Sequence, residues 1–241
     1  MVERHIVASS GGFVSTDRWS VVKPGGIFLR ALELANVTRP RVLFVLTASG
    51  DDKGYLSMMY QAVSSLGVDV NHLALFTQPT APVEQAIDEA DVIWVGGGSV
   101  ANLLSLWRLH EVDVAMEAAW NKGTVLGGVS AGSICWHAGG PTDSFGPTLV
   151  PVTNGLGLLP FGNGVHYDSE AQRRPLLHKL IAQQTYSHAY ATDDRAAVVY
   201  RGIDPAEVVT DTPDSTAKAY RVELVDGEVV ETVLPAGPVT S

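Results

Sequence analysis

The sequence predicts an α/β fold, a mostly parallel, doubly wound sheet with a C-terminal antiparallel edge or hairpin. Three observations predict it. Strand-like and helix-like segments alternate over the first half of the chain, as parallel strands with crossover helices require. Of 241 residues, 46% are hydrophobic and only 17% charged, with 24 glycines, which suits central strands covered on both faces. Past residue 190 the alternation gives way to short strands set between turn signals. No repeat, low-complexity block or long linker divides the chain, so a single domain over 1–241 is expected.

The elements follow in order. HIVASS (5–10) is a short apolar strand running into Gly11-Gly12, GIFLRALELA (26–35) has helical spacing, and RVLFVLTAS (41–49) is a second buried strand. YLSMMYQAVSSLG (55–67) puts Met58, Met59, Ala62, Val63 and Leu66 on one helical face before a C-cap glycine. VNHLALF is the next strand, and PVEQAIDEA a short helix with proline in its first turn. DVIWVGGG (91–98) is a strand ending in a glycine loop, followed by the helix SVANLLSLWRLH. A further helix around AMEAAWNKG leads to TVLGGV and Ser130, with SICWHA read as helical. RRPLLHKLIAQQ is helical, and AAVVY, AEVVT and AKAYRVELVDGEVVETVL are antiparallel strands, the last pair turning at Asp226-Gly227. PAGPVTS (235–241) reads as a frayed tail.

Composition excludes several classes. The net charge is −10 with no Lys/Arg-rich block, and half of the acidic excess lies after residue 200, so neither nucleic acid nor an anionic membrane is an expected partner. The single cysteine, Cys135, rules out an internal disulfide and a cysteine-based metal cluster. MVERHIVASSGG carries charges where a signal peptide needs its apolar core, and no apolar run approaches the roughly 20 residues of a membrane helix. A cytoplasmic protein is expected; its oligomeric state is not legible.

The chemistry concentrates in GTVLGGVSAGSICW (123–136). Gly128-Val129-Ser130-Ala131-Gly132 matches G-x-S-x-G, in which a buried strand turns sharply into a helix and lifts a serine hydroxyl into the crevice at the strand's carboxyl end. Ser130 is therefore a candidate nucleophile; the plainer alternative is a helix N-cap. A nucleophilic serine needs a base, and the base an orienting acid. Among seven histidines, His166 stands out, in the glycine-rich run LGLLPFGNGVHYDSE. His137 would sit roughly 10 Å along the helix that Ser130 opens, too far to take its proton. His5, His72, His110, His178 and His188 have ordinary contexts. Asp143, in the loop leaving the Ser130 helix, leads as the acid, with Asp168, Glu170, Asp193 and Asp194 open. VGGGSVANLL (95–104) could cradle a phosphate or supply a second oxyanion donor; its spacing is not G-x-G-x-x-G, which favours the second use.

VGGGSVANLL and GGVSAGSICW together resemble the peptidase E family of serine peptidases, which also includes cyanophycinase, and HYDSEAQRRP resembles the histidine segment of some of its branches. The 36-residue separation of Ser130 and His166 is close to the family's, and the likeness runs over roughly 4–200, strongest at 91–170. It implies a glutamine-amidotransferase-like α/β fold and a cofactor-free peptidase acting on small peptides. It implies Ser130 as nucleophile, His166 as base, Asp143 as acid, and Ala131 with Gly97 or Gly98 as oxyanion donors. In peptidase E an arginine beyond the histidine reads an acidic side chain; Arg173 and Arg174 are the only arginines nearby here. Ser99 stands where many relatives carry asparagine, at the edge of the substrate pocket. Other amide or ester hydrolases, and a noncatalytic binding module of the same fold, remain the alternatives.

Overall fold

The computed structural model describes residues 2–239. Its chain order begins β1 (His5–Ser9), a small hairpin of β2 (Phe13–Ser15) and β3 (Val22–Pro24), α1 (Gly26–Leu34), β4 (Arg41–Val45), α2 (Lys53–Val63), β5 (Asp69–Leu73), α3 (Val83–Asp88), β6 (Val92–Val95), α4 (Val100–Leu109), α5 (Val112–Lys122) and β7 (Val125–Val129). Strands β1, β7, β6, β4 and β5 lie side by side in that order and are parallel. Both faces are buried: Leu43, Val45, Ile93 and Val95 pack toward α4 and α5, while Val42, Phe44, Val92 and Trp94 pack toward α1 and α2. Alternate side chains of a strand point to opposite faces, so two buried faces require the unbroken apolar runs that the sequence displays.

The doubly wound parallel sheet is thus as expected, but it is not the only large one. α6 (Ala131–Ile134) is a single turn, and β8 (His137–Thr142) follows at once, then β9 (Val150–Val152), β10 (Leu159–Gly164), α7 (Arg173–Ala182) and β11 (His188–Thr192). The remaining strands are β12 (Ala196–Arg201), β13 (Asp204–Thr210), β14 (Ala219–Val225), β15 (Glu228–Val233) and β16 (Gly237–Pro238). β12, β13 and β16 extend the large sheet antiparallel beyond β1, whereas β15-β14-β11-β10-β8-β9 form a second, six-stranded sheet packed on α7. The Asp226-Gly227 turn is a two-residue link between β14 and β15, both residues at positive φ as such a hairpin needs.

Three expectations are corrected. SICWHA is not a continuous helix: it ends at Ile134, and His137 opens β8. The run LGLLPFGNG, expected as a loop at the sheet's edge, contains the strand LPFGNG; Gly162 makes room for Tyr186, since a Cβ there would come 2.7 Å from that ring. The 235–241 stretch is not wholly frayed, because β16 pairs with β13 and the Val239 N–H donates to Ala206 O; residues 240 and 241 lie outside those described. Among the described residues no helix is long and apolar enough to cross a membrane.

His137 is fully buried, bonded through Nδ1 to Ser133 O, with Nε2 unpartnered. Burial lowers its pKa from 6.5 to about 3. Between those values the unfolded chain carries a proton that the native one does not, so stability falls as pH falls below about 6.5. Urea unfolding between pH 7 and pH 4 should show His137→Phe losing less stability than wild type, by roughly 3 kcal/mol. Equal losses would refute this origin for acid sensitivity.

Candidate active site

Ser130 terminates β7 with φ 57° and ψ −114°, a conformation that a non-glycine residue keeps only when its surroundings enforce it. The enforcement is visible on both sides. A Cβ on Gly128 would lie 2.4 Å from Gly132 O, and one on Gly132 would lie 2.3 Å from Val95 O, so the turn closes only with glycine at both positions. The Ser130 N–H donates to Ser9 O at 3.0 Å, and Ser130 O receives the N–H groups of Ser133 and Ile134. Its hydroxyl makes no hydrogen bond among the described residues, and Ser130 is not a capping residue in the side-chain sense.

The glycine loop lies against this turn. A Cβ on Gly97 would stand 3.3 Å from Ser130 Cβ and 3.8 Å from its Oγ. Gly98, at φ 134°, packs on Ala48 O, and the Ser99 N–H donates to the same carbonyl at 2.8 Å, pinning the loop to the turn after β4. The Tyr55 ring covers Gly96, and the Gly97 N–H faces its phenol oxygen; burial nevertheless pushes that phenol up. Ser99 Oγ accepts from Asn102 N at 3.2 Å and so caps the N-terminus of α4.

His166 comes from the other sheet. β10 and β11 are parallel with Gly164 opposite Ala191, so the residues two or three beyond each partner leave the sheet at the same edge. His166 lies two beyond Gly164, and Asp194 three beyond Ala191. His166 Nδ1 and Asp194 Oδ1 are 2.5 Å apart. Asp143, the leading candidate for this place, makes no hydrogen bond to His166: it is exposed in the turn after β8, whose neighbour Ser144 accepts from Ala101 N. The other carboxylates are occupied. Asp168 Oδ1 accepts the Asp194 N–H at 2.8 Å, Glu170 pairs with Arg173, and Asp193 Oδ2 accepts from Lys218 N and the Tyr220 hydroxyl. Burial holds Asp193 above the usual carboxylate range.

Arg173 and Arg174 are both engaged within the protein. Arg173 is 2% exposed, its guanidinium held by Glu170 and by Pro141 O. Arg174 pairs with Glu231 and lies 4.2 Å over the Tyr167 ring. Both arginines start α7, and helix periodicity turns the first into the core and the second onto β15, a placement their position in the sequence does not reveal. Cys135 is fully buried four residues beyond the start of α6, and burial pushes its thiol up, so it is no substitute nucleophile.

The geometry is therefore a strained serine at a strand-to-helix turn, a glycine loop against it and a histidine–carboxylate pair. A family model described as peptidase family S51 matches residues 6–207. Uncharacterized peptidase YgaJ of Bacillus subtilis (strain 168) is 38% identical over 234 residues, which cover 96% of this chain and 97% of that one. A Drosophila melanogaster protein named probable alpha-aspartyl dipeptidase is 34% identical over 136 residues, 55% of each chain. The crystal structure of a peptidase from an acI-B1 Actinobacterium superposes with a TM-score of 0.72 over 99% of this chain and 97% of that one, at 18% identity, which is a likeness of fold.

Proposed function

This chain belongs to peptidase family S51 and is a serine-type peptidase, and we propose that it is a dipeptidase or small-peptide hydrolase working through an acyl-enzyme on Ser130. The observation that carries this reading is the Ser130 backbone, held at φ 57° by two glycine contacts with its hydroxyl unengaged. With Nδ1 turned to Asp194, His166 keeps Nε2 free to accept the serine proton. Ser130 Oγ attacks the peptide carbonyl as Nε2 takes its proton. The oxyanion is received by the Ala131 N–H and by one from the glycine loop that packs on Ser130, that of Gly97 or Gly98. The imidazolium then protonates the leaving amine, and a water molecule activated by the same nitrogen releases the acyl group. Asp194 holds the ring and balances its transient charge.

The substrate reading departs from the alpha-aspartyl dipeptidase named among the relatives. Since Arg173 and Arg174 are both committed within the protein, neither supplies the cation that would select an acidic side chain. A panel of Asp-X, Glu-X, neutral and isoaspartyl dipeptides with a p-nitrophenyl ester tests this. Neutral dipeptides are expected to be cleaved at least as well as Asp-X. A strong preference for Asp-X would overturn the specificity reading. No turnover, together with no labelling of Ser130 by a fluorophosphonate, would replace the peptidase reading with a binding module.

A further inference from the structure

Ser10 lies just beyond β1, 5% exposed, between the two sheets. Its Oγ accepts the His166 backbone N–H at 3.0 Å and lies 2.7 Å from Thr192 Oγ1 and 3.1 Å from Thr192 O. Its own backbone is bonded to the loop that carries Asp194: Ser10 N donates to Ala196 O at 2.9 Å, and Ser10 O accepts from Arg195 N at 3.0 Å. The preceding residue serves the nucleophile, through Ser9 O to Ser130 N at 3.0 Å and Ser9 Oγ to Gly128 O at 2.8 Å. Two consecutive residues near the N-terminus therefore hold the main chain at or next to Ser130, His166 and Asp194.

His166 has φ 51°, in the left-handed region that a residue with a side chain seldom keeps unless held there. The N–H that Ser10 receives belongs to this residue, so the Ser10 hydroxyl fixes the peptide plane from which the imidazole departs. We propose that Ser10 is a positioning residue for the proton-transfer step. Its hydroxyl sets the His166 backbone so that Nε2 meets the Ser130 hydroxyl while Nδ1 stays on Asp194. This rests on the catalytic reading above. It adds a residue that touches neither substrate nor the reacting atoms, and lies outside the serine and histidine motifs.

The experiment compares wild type with Ser10→Ala, with Ser10→Cys, which keeps the shape but offers a poor acceptor, and with Thr192→Val. Thr192→Val breaks the Ser10–Thr192 hydroxyl contact while leaving the His166 N–H on Ser10. Melting temperature, kcat and KM on the best substrate of the panel, and the rate of fluorophosphonate labelling at Ser130 are measured for each. Both Ser10 variants should lose about 10- to 100-fold in kcat and in labelling rate with KM little changed, the scale expected of a small misplacement. Thr192→Val should keep both rates even where its melting temperature falls. Labelling of either folded Ser10 variant at the wild-type rate would overturn the proposal, as would an equal loss in Thr192→Val, which would make the effect one of stability. If wild type itself is neither active nor labelled at Ser130, the catalytic reading fails and takes this one with it.

Discussion

Ser130→Ala should remove turnover of every substrate that the wild type cleaves, lowering kcat by about 10⁴–10⁶-fold, while leaving the melting temperature and circular dichroism close to wild type. The two halves of this expectation have different origins. The hydroxyl has no hydrogen-bond partner among the described residues, so alanine strands no buried donor or acceptor. Chemically, alanine leaves an oxyanion site and a base with no atom to attack the carbonyl. Retention of more than about 1% of the activity, a hundredfold above the smallest loss expected, would mean that the acyl-enzyme is not on this residue. Loss of folding instead would mean that the strained turn depends on the hydroxyl in a way its contacts do not reveal.

Asp194→Asn should be the second largest effect, a fall in kcat of roughly 10³–10⁴-fold with the protein folded, because asparagine favours the imidazole tautomer that presents the wrong nitrogen to serine. Asp143→Asn, in its exposed turn, should leave kcat unchanged. The pair of variants decides between the carboxylate nearest in the connectivity and the one nearest in space. A large loss in Asp143→Asn with none in Asp194→Asn would reverse the assignment made from the 2.5 Å contact.

The parts of the fold that were legible in the sequence are those whose apolar pattern is imposed by burial on two faces, such as RVLFV and VIWV, or by a helix stripe such as Met59, Ala62 and Val63. In the second sheet the β14–β15 hairpin was legible, but the strands next to the site were not, for a physical reason. Its strands HAGGPT and LPFGNG are rich in glycine and proline because neighbouring side chains and carbonyls press on the backbone, and they carry neither alternation nor β-branched runs. Ser130 and His166 could be named because one sits in a local turn with a spacing of its own and the other beside an unusual glycine run. Asp194 could only be kept among several carboxylates, since what selects it is the register of β10 on β11, a pairing that no local pattern encodes. Arg173 is engaged within the protein by burial and Arg174 by its pairing with Glu231, and neither is legible from proximity along the chain.

The dependence of all three site segments on residues 9 and 10 also bears on how the protein comes into being. Ser10 is 156 residues from the histidine it touches and 182 from Thr192, and β1 is sealed only when β12 pairs along its far side. Closing spans of this length is slow compared with forming a helix or hairpin. A chain still emerging from the ribosome can complete its first five parallel strands and the serine turn, yet it holds no working hydrolytic centre until the segment past residue 194 has been made and has folded back onto the beginning.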